Sequence, residues 1–428
     1  MFFTDLRSAL VGQNALLLGT LFNPTNSDYS RSFAYSSNAA QINEVVRREL
    51  GSLRSAGFTN NGKEIMIETV VAFWNVVYEL ERSGVTTHRE HDEGYWPKVY
   101  AAQRTVMGLV CRGFNTGGWA NWMLPMLYST CRYLREFAMA ADDEDSKAEN
   151  ASSLEDAARH LNKGFTLCLS DRAPLPESRK WGTYYMANIL FKTYFKLNSI
   201  TLSKNVLKAL EALGKDLPPI EQFPKSHIVT FKYYVGVINF LEEHYKAAEE
   251  NLLTALQLCK STASSRNHQL ILTYLIPAHL ITTHQVPSSD LFRNYPRLRT
   301  LFGPITAAIR SGNLQAFEAA LEQNEDEYVK RRIYLTLERS RDIVLRNLFR
   351  KVFLISNKST RIPVEDFRKA MGFSLAGKNG GLRKEIEAEE VECLLAGMIY
   401  KGLMKGYISR DYGKVVLSGT SAFPGTGV

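Results

Sequence analysis

The sequence predicts an all-α solenoid of helical hairpins capped by a C-terminal winged helix. Three observations carry that prediction. Apolar residues recur at helical spacing from the N-terminus to about residue 355, one helical pair in the middle fits a tetratricopeptide repeat without a gap, and after residue 360 the pattern turns to short helices and β-rich runs. The chain has 428 residues, 45% hydrophobic and 22% charged, enough for two or three cores and too apolar for disorder.

The first hundred residues read as weakly patterned helices interrupted by Asn23-Pro24-Thr25-Asn26-Ser27 and Thr59-Asn60-Asn61-Gly62. Stronger helices run from Lys63 to Arg82, from Pro97 to Phe114 and from Trp119 to Ala140, the last two separated by Asn115-Thr116-Gly117-Gly118. The acidic run Asp142–Glu149 reads as an exposed loop. From Leu154 onward the helices pair. Glu177 to Leu197 turns at Asn198-Ser199 into a partner ending near Leu213, and Tyr233 to Leu256 is the TPR-like pair. In that pair Gly236 stands where two helices approach, Tyr245 at the turn, and Ala248 and Ala255 at the crossing. Further pairs follow at His268–Thr283, Ser288–Arg293, Ile305–Arg310 and Leu314–Glu322.

Charge is concentrated in one stretch. Residues 328–384 hold fifteen Lys/Arg against four acids, a local net charge of +11 where the whole chain carries +8. In its core Leu345, Leu348, Phe349, Val352 and Phe353 mark one apolar helical face. Were that helix continuous from Tyr328, then Arg332, Arg339, Arg346 and Arg350 would form a stripe on the opposite face, suited to bidentate contacts with phosphate oxygens. A solvated helix face is the plainer reading of the same residues. Beyond it lie Arg361-Ile362-Pro363, a helix from Val364 to Met371, another from Glu387 to Lys401, and β-rich runs at Lys405–Ser409 and Lys414–Ser418 around Arg410-Asp411-Tyr412-Gly413. This is the order of a winged helix. Lys401, Lys405 and Arg410 join the expected polyanion surface, and Arg368, Lys369, Lys378, Arg383 and Lys384 extend it. The apolar run Val415-Val416-Leu417 is expected at a sheet edge, open to a second chain.

Catalytic patterns are weak. Gly372-Phe-Ser-Leu-Ala-Gly-Lys378-Asn379 nearly spells a phosphate-binding loop but lacks the hydroxyl that ligates magnesium, and a helix precedes it instead of a strand. His88-Arg-Glu-His91-Asp-Glu93 has no third distant ligand. The five cysteines contain no Cys-x-x-Cys and read as buried free thiols in a reducing compartment. The Trp and Tyr residues read as core, not as base-stacking platforms. No apolar run reaches the ~20 residues of a membrane span, so no membrane, metal or cofactor is expected.

Ser178–Gly182, Leu190–Asn198, Val229–Gly236, Leu270–Pro277, Arg346–Val352, Met398–Ile408 and Ala422–Val428 together resemble the PCI-domain family of the proteasome lid, COP-nine signalosome and initiation factor, in particular its signalosome-like and messenger-RNA-export branch. The resemblance covers roughly residues 150 to 428. It divides the chain into an N-terminal helical region (1–150), a TPR-like solenoid (151–325, its PCI part from about 223), the basic helix and winged helix (326–420) and a tail (421–428). It also implies a non-enzymatic scaffold that pairs with a second PCI-type subunit, binds the small acidic disordered subunit shared with the proteasome lid, and presents a basic surface to RNA or DNA. The glycine-rich basic insertion Gly377–Lys384 departs from that pattern. The function expected is therefore a nuclear scaffold in transcription-coupled mRNA processing and export. The alternative is a protein-interaction subunit of a signalosome-like complex in the ubiquitin/cullin pathway.

Overall fold

A computed structural model describes residues 1–51, 59–82, 94–144, 152–260, 265–376 and 386–427. Two compact units emerge, Met1–Tyr234 and Val235–Val428. Their boundary falls inside one helix.

Among its described residues the first unit is built of helices, with no strand. Four short helices, α1 (Phe2–Val11), α2 (Ala15–Leu21), α3 (Ser30–Ala34) and α4 (Ile42–Gly51), precede the long antiparallel α5 (Asn60–Arg82), α6 (Tyr95–Thr116) and α7 (Leu124–Glu144). α8 (Ser152–Leu169), α9 (Thr183–Lys196) and α10 (Ile200–Leu213) complete it, with the N-terminal part of α11 (Lys225–Leu241). Trp74 is fully buried and donates its indole N–H to the Phe33 carbonyl at 3.0 Å, joining α5 to α3. The expected acidic loop is partly something else. Asp142 accepts from the backbone N–H of Ser153 and Leu154, and Glu144 from Gly94, Tyr95 and Trp96. Two helix N-termini, whose first N–H groups have no intrahelical partner, are thus closed by carboxylates from the end of a third.

In the second unit α12 (Tyr245–Leu258) follows the TPR-like turn, with Glu243 at φ +63. A Cβ on Gly236 would stand 2.6 Å from the Leu252 side chain, and Ala248 and Ala255 are fully buried, so the small residues lie where the helices touch. α13 (Ser265–Thr283), α14 (Ser289–Asn294), α15 (Pro296–Ser311) and α16 (Leu314–Gln323) lead to α17 (Glu325–Lys330), α18 (Tyr334–Arg339) and α19 (Arg341–Ile355). The winged helix then adds β1 (Arg361–Pro363), α20 (Val364–Leu375), α21 (Ala388–Tyr400), β2 (Gly406–Ser409) and β3 (Lys414–Leu417). Its sheet is antiparallel in the order β1-β3-β2.

Two expectations are corrected here, on the strand edge and on the cysteines. β3 is the central strand, not an edge: Val415 pairs with Ile362 on one side and Ile408 on the other, and Val415 and Leu417 are buried. The main-chain groups of Val415, Val416 and Leu417 are therefore committed inside the sheet, and the outer strands are β1 and β2. Only two of the five free cysteines, Cys131 and Cys168, are buried, while Cys393 is exposed on α21. Gly372 lies within α20, where Ser374 Oγ donates to the Gly312 carbonyl and accepts from the Leu314 N–H, so the near-phosphate-loop sequence is helix as far as Leu375, and Gly377, Lys378 and Asn379 lie outside the described residues. His88 and His91 lie outside the described residues. Among the described residues no helix is long and apolar enough to cross a membrane, and no cluster of ligands fit for a metal occurs.

Candidate partner and polyanion surface of the winged helix

The basic stretch folds as three helices, not one. Burying both Tyr328 and Ile333, each fully inside, requires a turn between them, and Arg332 takes it at φ +59. A second break follows at Ser340, whose N–H and Oγ both bond to the Leu337 carbonyl. The four arginines consequently share no face, and the expected stripe does not form. α19 keeps the apolar face read from sequence, since Leu345, Leu348, Phe349, Val352 and Phe353 are all buried. It is also buried on further sides, packing against α15, α16 and α20 at once. Its outward residues are confined to the C-terminal half, where Lys351, Leu354 and Ile355 are exposed, so no cationic stripe runs along it.

Each predicted cation can now be placed. Arg339 forms a two-pronged ion pair with Glu243 at 2.6 and 2.8 Å, which raises its pKa further. Arg346 is 6% exposed and donates to the His284 carbonyl at 3.2 Å. Burial, and then the charge of Arg350, lower the Arg346 pKa. Arg350 is half-buried, its Nη2 3.5 Å from the Thr426 carbonyl and its Nε buried without a partner. Lys401 meets Asp342 at 2.6 Å, Arg410 meets Glu392 at 3.5 Å, and Arg368 grips Glu365 while also donating to the Ile386 carbonyl. Lys369 and Lys405 are exposed and make no ion pair among the described residues. Lys378, Arg383 and Lys384, with the rest of the Gly377–Lys384 insertion, lie outside the described residues.

Two features were missed in the sequence. The first turn of α21 carries Glu389 and Glu390, with Glu387 just before it, all exposed. Acids there complement the helix dipole, but they put negative charge where a groove-reading helix meets bases. The run Glu385–Glu390 was a legible sign of this. Second, α15 is flanked by two clefts of about 530 and 610 Å³ that meet at Thr300. Arg266, Arg297 and Arg331 line one, and Arg293, Arg299 and Arg310 the other. Their sequence spacing crosses several helices and gives no local charge run.

The outer face of the sheet is also open. Arg361, Val416 and Tyr407 stand opposite one another across the three strands, with Tyr407 62% exposed on the outer strand β2. An aromatic on an exposed edge strand beside apolar and cationic neighbours suits a protein contact.

A PCI domain model matches residues 321–418, the span of α17–α19 and the winged helix. A protein of Neurospora crassa named "Protein CSN12 homolog" is 48% identical over 84% of each chain. A Schizosaccharomyces pombe protein of the same name is 41% identical over 78% of this chain and 79% of its own. The Xenopus laevis "PCI domain-containing protein 2" is 34% identical over 76% of this chain and 79% of its own. With relatives this similar over most of its length and a helical array closed by a winged helix, the chain belongs to the PCI-domain family, in the group that includes proteins named CSN12 homolog and PCI domain-containing protein 2.

Proposed function

We propose that the chain is a non-enzymatic scaffold subunit of a nuclear, signalosome-like assembly, pairing through its winged helix with a second PCI-type subunit. The observation that carries this reading is the charge of the winged helix itself. Its third helix opens with exposed acids, its cations Lys401, Arg410 and Arg368 are paired with carboxylates while Lys369 and Lys405 are exposed without an ion pair among the described residues, and the β2 edge presents Tyr407. Such a surface is poor at holding phosphates and good at holding a protein. The names of the fungal relatives support the same kind of assembly. Purification of the full chain from native cells, with mass measurement of the intact complex, tests this: the reading expects one copy of a second PCI-type protein per chain. Recovery as a lone chain at native concentration would overturn it.

The clefts beside α15 support a second reading, in which the helical part rather than the winged helix receives a polyanion, either the small acidic disordered subunit or RNA. Changing Arg297 and Arg299 together to Glu should flatten the salt dependence of RNA binding by roughly two units of slope if RNA is that polyanion. An unchanged slope would remove it.

A further inference from the structure

The first unit holds an open-mouthed cavity of about 400 Å³ lined by faces of three helices. α7 contributes Arg132, Arg135 and Glu136, α9 contributes Asn188 and Lys192 one turn apart, and α11 contributes His227. Its charge is unbalanced. Arg132 is satisfied by Glu136 at 2.9 Å, which leaves Arg135 and Lys192 with no carboxylate in ion-pair range among the described residues. These two are also tied together, because Arg135 Nη2 donates to the Lys192 carbonyl at 3.3 Å.

Polar capacity is left over in the same place. Arg135 Nε, His227 Nδ1 and Asn188 Oδ1 are buried and have no hydrogen-bond partner, although Asn188 Nδ2 donates to the His227 carbonyl at 2.9 Å and so fixes the amide. Buried polar groups are nearly always satisfied, and three together in one cavity point to a guest. Desolvation is the chief cause of lowered pKa values at Arg135, Lys192 and His227, the last to about 4, so His227 is neutral at pH 7 and can donate or accept.

We infer that this cavity binds a small phosphate-bearing anion, with Arg135 and Lys192 as its charge partners and Asn188 and His227 bonding its hydroxyl or remaining oxygens. A tetrahedral group carries acceptors for the two cations together with an O–H for the Asn188 oxygen, which a bare carboxylate cannot supply. The volume fits a small molecule, and walls formed by three helices leave little room for an extended chain.

Isothermal titration of the full chain with inorganic pyrophosphate tests the assignment, with an Asp/Glu-rich peptide as the second arm. Wild type should bind pyrophosphate. Lys192→Gln, on the exposed rim, and Arg135→Lys, which keeps charge but loses the fork, should each weaken it about tenfold or more. Lys208→Gln, exposed on α10 and away from every cleft described, should leave it unchanged. Circular dichroism melts matching wild type would show that the variants fold. The assignment is overturned by no pyrophosphate binding at low salt, by binding that Lys192→Gln leaves intact, or by binding of the peptide in place of pyrophosphate.

Discussion

Arg346→Glu provides the sharpest consequence of the broken basic helix. From a continuous stripe one expects this change to abolish polyanion binding and spare the fold. The structure reverses both expectations. Arg346 is 6% exposed and satisfies the His284 carbonyl, which closes α13. Removing a hydrogen bond from a charged donor costs about 1.5–3 kcal/mol. A carboxylate in its place faces a carbonyl oxygen in a desolvated site, and Arg350 one turn away offers only partial compensation. The combined loss is on the order of 3–5 kcal/mol, which lowers the melting temperature of a unit this size by roughly 6–20 °C. Calorimetry or fluorescence-monitored melting of the full chain measures it, with Arg339→Glu as the surface comparison, where the transition should barely move because that pair is solvent-exposed. Arg346→Met should fall between them, retaining the apolar stem while leaving the carbonyl unpartnered. An Arg346→Glu protein melting within a degree or two of wild type would refute the buried role of this arginine.

Further expectations follow from the same packing. Gly236→Ala gains up to about 1 kcal/mol of helix propensity but drives a Cβ to 2.6 Å from Leu252; overpacking of about 1–3 kcal/mol should win, and a rise in urea midpoint would contradict it. Val415→Lys, fully buried in the central strand, should unfold the winged helix, whereas Val416→Lys, half-exposed opposite Arg361, should leave a folded module; proteolysis of the C-terminal part reads the difference. Because burial holds the His227 pKa at about 4, below the unfolded value of 6.5, its contribution is present above pH 6.5 and is lost as pH falls through 4. His227→Gln should therefore flatten the stability profile between those limits, and identical profiles would exclude this histidine as the cause. For Asp156, desolvation raises the pKa, but bonds from Tyr100, Arg159 and Arg104 outweigh it and bring the value to about 2. Its stabilisation persists above pH 3.8 and disappears as pH falls toward 2, and Asp156→Asn should remove that acid limb.

Much of the fold was legible because helical periodicity, the TPR-like small residues and the switch to short strands are local signals. The turn at Asn198, the close approach at Gly236 and the order of the winged helix all come from residues near one another in sequence. What escaped was anything decided by a distant partner. No local pattern says that Glu144 closes the start of α6, or that β1, far upstream, pairs with β3 and makes it the central strand. The basic stretch was legible as charge but not as surface, because Arg339, Arg346 and Lys401 find Glu243, His284 and Asp342 across the fold. The break at Arg332 had no glycine or proline to announce it. By contrast, the acids opening α21 were in plain sight and weighed against a groove-reading third helix.

The central claim is that the winged helix is a protein-pairing surface, and Tyr407→Glu tests it most directly. Tyr407 is 62% exposed on the outer strand β2, so the change leaves the buried face of the sheet untouched. Tagged wild type and variant, matched for melting temperature and expression, are purified from the same cells and the co-purifying PCI-type protein is quantified. The account predicts that the partner falls to a small fraction of its wild-type ratio while RNA binding is unchanged. Equal partner recovery with both proteins, or loss of RNA binding alone, would contradict it.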